Sequence, residues 1–106
     1  MDNERILKFT VSRQIVSKYP DCDFSGIVKG SEGYLMAMFV FSREWYGCKI
    51  AASFWSNGKE YAVPVQNGKC IIPSEALKGD QFYVSLVGIR KGYKITTNKF
   101  KVSQEG

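Results

Sequence analysis

Histidine is missing altogether from the 106-residue chain. Its absence removes the commonest general base, the commonest metal ligand and every Ser-His or Cys-His dyad at once. No two of the three cysteines, Cys22, Cys48 and Cys70, stand close enough for a CxxC pair, and an odd count does not build a disulfide framework. Asp21-Cys22-Asp23 supplies two carboxylates and a thiol, which complete no usual coordination set. No apolar run approaches the ~18 residues of a membrane-crossing helix. The opening segment MDNERILKF lacks the basic-then-apolar pattern of a signal peptide. These absences argue against most enzyme classes. They lead us to expect no catalytic residue, no cofactor, no metal site and no membrane partner, with synthesis in the cytoplasm.

What is present is an ordinary globular composition, 44% hydrophobic and 24% charged, which argues against disorder. The length suits one domain, 1–106. Fifteen basic residues against ten acidic give a formal charge of +5. They are dispersed from Arg5 to Lys101, with no run longer than Arg90-Lys91. A nucleic-acid site needs a clustered basic footprint, so this pattern reads as a solvated surface.

No segment holds a 3.6-residue apolar period. Short runs rich in Val, Ile, Phe, Tyr and Thr recur instead, broken by Gly and Asn, and predict an all-β sandwich or barrel of about seven strands. Ile6 to Val11 alternates and continues in broken form to Tyr19, and Phe24 to Val28 is read as a further short strand. Tyr34 to Phe41 is apolar at every position, as a central strand covered on both sides would be. A buried helix gives the same run, but Gly33 and the short length favour the strand. Cys48 to Trp55 leads through Asn57-Gly58 into Glu60 to Val65, and Asn67-Gly68 turns the chain into Lys69 to Ile72. Asn-Gly is the strongest short hairpin signal, which gives Gly58 and Gly68 structural roles. Pro64 cannot donate to a ladder and marks an edge strand. Phe82 to Ile89 and Tyr93 to Val102 complete the set, with Lys94, Lys99 and Lys101 blunting the last edge.

Two single-turn helices are predicted. Ser42 would cap the first, with Trp45 folding back over the end of the sandwich. Ser74 would cap the second, ended by Gly79. Gly58-Lys59 and Gly68-Lys69 lack the upstream glycine and following hydroxyl of a phosphate loop.

Aromatic residues are abundant, with seven Phe, six Tyr and two Trp. Phe39, Phe41, Phe54 and Phe82 suit a core. Trp55, Tyr61, Tyr83 and Tyr93 fall on the alternate phase or near turns, and are the candidates for an exposed patch that meets a protein, a sugar or a base.

From Leu35 to Val102 a set of short motifs follows in order. They are Phe41-Ser42-x-x-Trp45-x-Gly47, Ala52-x-Phe54, Tyr61-x-Val63, Cys70-x-Ile72-Pro73-x-x-Ala76-Leu77, Phe82-x-Val84-x-x-x-Gly88 and Ile95-Thr96-Thr97-Asn98. In this order they resemble the N-terminal domain of baseplate upper proteins, found in tailed phages and prophages of Gram-positive bacteria. The resemblance implies an immunoglobulin-like antiparallel β-sandwich acting as a structural part of the phage tail. Its partners would be other tail and baseplate proteins, with a homo-oligomer as a further possibility, and its place the virion. Contact would run through strand addition at an edge or through a patch containing Trp55 or Tyr83. The alternative reading is a carbohydrate-binding module that meets cell-wall polysaccharide at the tail tip.

Overall fold

Leu7, Phe9 and Val11 alternate with Ile6, Lys8 and Thr10, and that period of two decides which side of the first strand is buried. A computed structural model of the chain describes residues 4–106. Residues 1–3, which belong to the expected 1–106 domain and to the segment read for a signal, lie outside the described residues. The elements are β1 (Arg5–Ser12), β2 (Ile15–Lys18), β3 (Leu35–Phe41), β4 (Lys49–Ser56), β5 (Lys59–Val65), β6 (Lys69–Ile71), β7 (Gln81–Arg90), β8 (Tyr93–Thr96) and β9 (Phe100–Ser103). Single 3₁₀ turns lie at Arg43–Trp45 and Ser74–Leu77.

Two sheets form the expected all-β sandwich. The first has the order β2-β1-β3-β6, and the second has β5-β4-β7-β8 with β9 also on β7. Leu7, Phe9, Leu35, Ala37 and Phe39 from the first sheet meet Ala52, Phe54, Phe82, Val84 and Leu86 from the second in one buried cluster. Asn57 and Asn67 have φ of 52° and 54°, and Gly58 and Gly68 have 77° and 74°, the backbone that a tight two-residue hairpin requires. Pro64 lies on β5, which ends its sheet.

Several details differ from the sequence reading. There are nine short strands among the described residues, because two predicted runs divide. The ladder between β1 and β3 is parallel, whereas the other strand pairs are antiparallel. A parallel pair needs a long return, and residues 19–34 supply it. Phe24 to Val28 is therefore no strand but part of this crossover. Phe24 packs edge-on to Phe9 at 5.2 Å, Ile27 is buried, and Val28 makes a single bridge to Glu105.

The last predicted strand breaks at Thr97. Its backbone N–H donates to Leu86 O and its Oγ1 accepts the Leu86 N–H, so the side chain takes a ladder position. Asn98 then turns towards β2. Its Oδ1 accepts the Val16 N–H at 2.8 Å, its N–H donates to Gln14 O, and Gln14 Nε2 donates to Thr96 O. These bonds staple the edge of one sheet to the edge of the other.

The two serine caps are not formed. Ser42 holds the N-cap position of the first turn but makes no side-chain bond to the turn's backbone N–H groups; its Oγ accepts the Arg13 N–H at 2.9 Å, tying the β1–β2 turn to the β3–β4 corner. Pro73, not Ser74, is the N-terminal flanking residue of the second turn, and Lys78 rather than Gly79 closes it. A turn of three or four residues leaves few orphan N–H groups for a cap to satisfy.

Trp45 fills that corner. It is 1% exposed, its Nε1–H donates to Arg13 O at 2.8 Å, and Phe41 packs at 5.4 Å. Phe41 itself is only half-buried. A Cβ added at Gly88 would come within 2.8 Å of Trp45 Cε3, so the indole fits only over a glycine. All three cysteines are free, and burial pushes the Cys70 thiol up to about 12.

Gly88→Ala is expected to destabilise the fold by about 1–3 kcal/mol through overpacking. Gly79→Ala, with its nearest contact at 3.8 Å and no positive φ, serves as the control. Urea unfolding of both variants checks this; equal midpoints would remove the close-packing account of Gly88.

Candidate functional surfaces

Two outward-facing surfaces carry side chains that the chain itself does not cover. The first is the outer face of β1, β3 and β6. The register aligns Ile6 with Met36 and Met36 with Ile71, which makes one apolar row across three strands. The next row is Lys8, Met38 and Lys69, and Val40 follows beside Thr10. Ile6, Val40 and Ile71 are 43%, 43% and 44% exposed. The all-apolar run Tyr34 to Phe41 predicted cover on both sides of β3. The structure covers one side only: Leu35, Ala37 and Phe39 are buried, while Met36, Met38 and Val40 face outwards. Lys8 Nζ lies 4.1 Å above the Tyr19 ring, so one of the flanking ammonium groups is held at the border of the row.

The second surface is the outer face of the five-stranded sheet, which changes character along its strands. One end carries Ala51, Ala62, Pro64, Val87 and Ile89 around a shallow apolar hollow of about 470 Å³. The other end is polar and aromatic. Trp55 on β4 stands directly opposite Tyr83 on β7, and both are half-buried. Trp55 Nε1–H donates to Ser85 Oγ at 2.9 Å, which fixes the plane of the indole. Lys99 Nζ lies 3.6 Å from the centre of that ring. A cleft of about 700 Å³ opens on one side of Trp55, with Asn57, Asp80, Gln81 and Tyr83 in its wall. A smaller hollow of about 340 Å³ opens on the other, with Ser53, Glu60, Ser85 and Thr96. Trp55 and Lys99 border both.

Both carboxylates of this second region are paired or hydrogen-bonded. Lys29 Nζ reaches Asp80 Oδ1 at 2.8 Å, and this bond and charge hold the Asp80 carboxyl below its ordinary value. Ser53 Oγ donates to Glu60 Oε2. Gln81 Nε2 is 3.4 Å from the Tyr83 hydroxyl.

Of the four aromatic candidates, the structure brings Trp55 and Tyr83 together and places the others elsewhere. Tyr61 pairs with Phe54 and packs against the core, on the opposite side of the sheet from Trp55. Tyr93 lies at the far end of β7, opposite Arg90. Its hydroxyl donates to Glu44 O at 2.8 Å, and the Arg90 guanidinium stacks on its ring at 3.8 Å. Both tyrosines therefore leave the candidate patch. Lys99 and Asp80 join it instead. The sequence pattern marks Lys99 as an edge charge, and no motif marks Asp80.

Among the described residues no group of three or more His, Cys, Asp or Glu side chains could hold a metal ion. No helix of the described residues is long and apolar enough to cross a membrane. No family model matches this chain, and no curated protein matches it.

The Lys29–Asp80 contact sets a pH response. A depressed carboxyl stabilises the folded state above its unfolded value of 3.8 and loses that contribution as the pH falls below it. In an NMR titration, Lys29→Met is expected to move the Asp80 midpoint upwards towards 3.8. An unmoved midpoint would show that Lys29 is not the cause.

Proposed function

We propose that this protein is a non-enzymatic assembly module, a structural part of a phage or prophage tail, that docks another protein across the outer face of β1, β3 and β6. The observation that carries the docking reading is the uncovered row Ile6, Met36 and Ile71, with Met38 and Val40 beside it. Burying what remains exposed of Ile6, Val40 and Ile71 would contribute roughly 1 kcal/mol apiece, enough to make them anchors of an interface. Methionine adds adaptable packing to such a face.

The charge on the face selects the partner. Lys8 and Lys69 flank Met38, and the whole chain carries +5. Two copies joined face to face about a two-fold axis would set these lysines against one another, a like-charge contact that opposes pairing. The partner that fits is a different protein with an apolar surface edged by carboxylates. Baseplate proteins are the partners that the family resemblance suggests. The tail assignment is supported by the ordered motif set from Phe41-Ser42-x-x-Trp45 to Ile95-Thr96-Thr97-Asn98. The site of action would then be the virion tail, assembled in the bacterial cytoplasm.

Particles induced from the source bacterium and purified by density should contain the chain in fixed proportion to other tail proteins. The double variant Val40→Asp, Ile71→Asp changes only exposed side chains. Its incorporation should fall by at least about tenfold, with the circular-dichroism spectrum and unfolding midpoint retained. Absence of the chain from purified particles would end the tail reading. Undiminished incorporation of the folded variant would end the docking-face reading. Light scattering after size exclusion adds the remaining case, since a dimer lost in the variant would make a second copy the occupant.

A further inference from the structure

The cleft around Trp55 has the parts of a stacking site rather than of a flat protein contact. The indole plane is fixed at its edge by the bond to Ser85, and hollows open on both sides of it. The lining offers hydrogen-bonding groups of every kind: an amide at Asn57, carboxylates at Asp80 and Glu60, hydroxyls at Tyr83 and Thr96, and an ammonium at Lys99. A ligand that fits must present a flat apolar face to Trp55 and many donors and acceptors around its rim. A pyranose ring does both, because its axial C–H groups form the apolar face and its hydroxyls the rim.

Charge in the lining is mixed. Lys94 and Lys99 stand with Glu60 at the smaller hollow, while Asp80, across Trp55, is paired with Lys29. Glu60 and Asp80 place carboxylate oxygens beside the stacked unit, where they accept hydroxyl protons well and oppose an anionic group. The indole carries Lys99 in the free protein. A sugar that stacks there displaces the ammonium, which then reaches the sugar's oxygens. Because one ring borders two hollows, the bound chain extends to either side of the stacked unit.

From this geometry we infer that the polar end of the five-stranded sheet binds an uncharged oligosaccharide across Trp55, with one unit stacked on the indole and its neighbours in the two hollows. This site lies on the opposite sheet from the proposed docking face and does not depend on it.

Titration with neutral tetrasaccharides of glucose, galactose, mannose and N-acetylglucosamine, followed by tryptophan fluorescence, tests the inference. Trp45 is buried and reports only folding, so a ligand-linked change belongs to Trp55. At least one tetrasaccharide should give a saturable change below millimolar concentration, insensitive to salt. Trp55→Ala should weaken binding at least about tenfold in calorimetry, with Trp45 emission unchanged as proof of folding, and Glu60→Gln should weaken it as well. No response to any of the four at high millimolar concentration would overturn the inference, as would binding that survives Trp55→Ala. Tighter binding of a single-stranded oligonucleotide or a polyuronate, falling steeply with salt, would overturn it too and make the cleft a polyanion site. None of these failures touches the tail reading, which is decided by the particles.

Discussion

The seating of Trp45 over Gly88 is the contact on which the corner of this sandwich depends. The indole comes from a three-residue turn that would have no reason to hold its shape alone. It bonds to Arg13 O, while the Arg13 N–H returns a bond to Ser42 Oγ. One side chain thus connects the β1–β2 turn, the β3–β4 corner and the C-terminal part of β7. A buried indole N–H needs a partner, and the φ of 54° at Arg13 is the backbone geometry at which the chain supplies it. The parallel β1–β3 ladder ends at this corner, and the long return through residues 19–34 closes the other end of the sheet.

Both outer surfaces inherit their character from that arrangement. Burying Leu7, Phe9, Leu35, Ala37 and Phe39 between the sheets commits the alternate residues to the outside. On β3 those alternates are Met36, Met38 and Val40, which is why the first sheet presents an apolar face. On β4 and β7 they are Ser53, Trp55, Tyr83 and Ser85, which is why the second presents an aromatic and polar one. A single alternation rule thus yields two unlike surfaces from one core.

Most strands, both Asn-Gly hairpins and the edge position of Pro64 were legible in the sequence, because each follows from local backbone chemistry, whereas the apolar segment Phe24 to Val28 went into the crossover. The pairing of Trp55 with Tyr83 was half legible: the alternation put both outwards, but only the register puts them opposite each other. Tyr61 misled because it follows a turn closely, yet it shares the inner side with Phe54. Ser42 and Ser74 misled because a serine before a short turn looks like a cap: Ser42 holds the position but its Oγ accepts the Arg13 N–H instead, and Pro73 takes the position expected of Ser74. The bond between Asn98 and Val16 spans 82 residues, and no local pattern announces it. Gly88 looks like any strand glycine until the indole above it is seen. Lys99 and Asp80 come from connections between strands, and their convergence on one cleft is a property of the closed sandwich alone.

The staple from Asn98 to β2 has a consequence for how copies of this protein meet. A sandwich ordinarily exposes four strand edges, each able to recruit another chain and start a fibre. Here two of the four are consumed by one another through Asn98 and Gln14. A third, β6, is three residues long, and the fourth, β5, contains a proline that has no N–H to offer a newcomer. Each of these features makes sheet extension less favourable at the border where it sits. Contacts with other chains are thereby directed to the faces of the sandwich rather than to its borders.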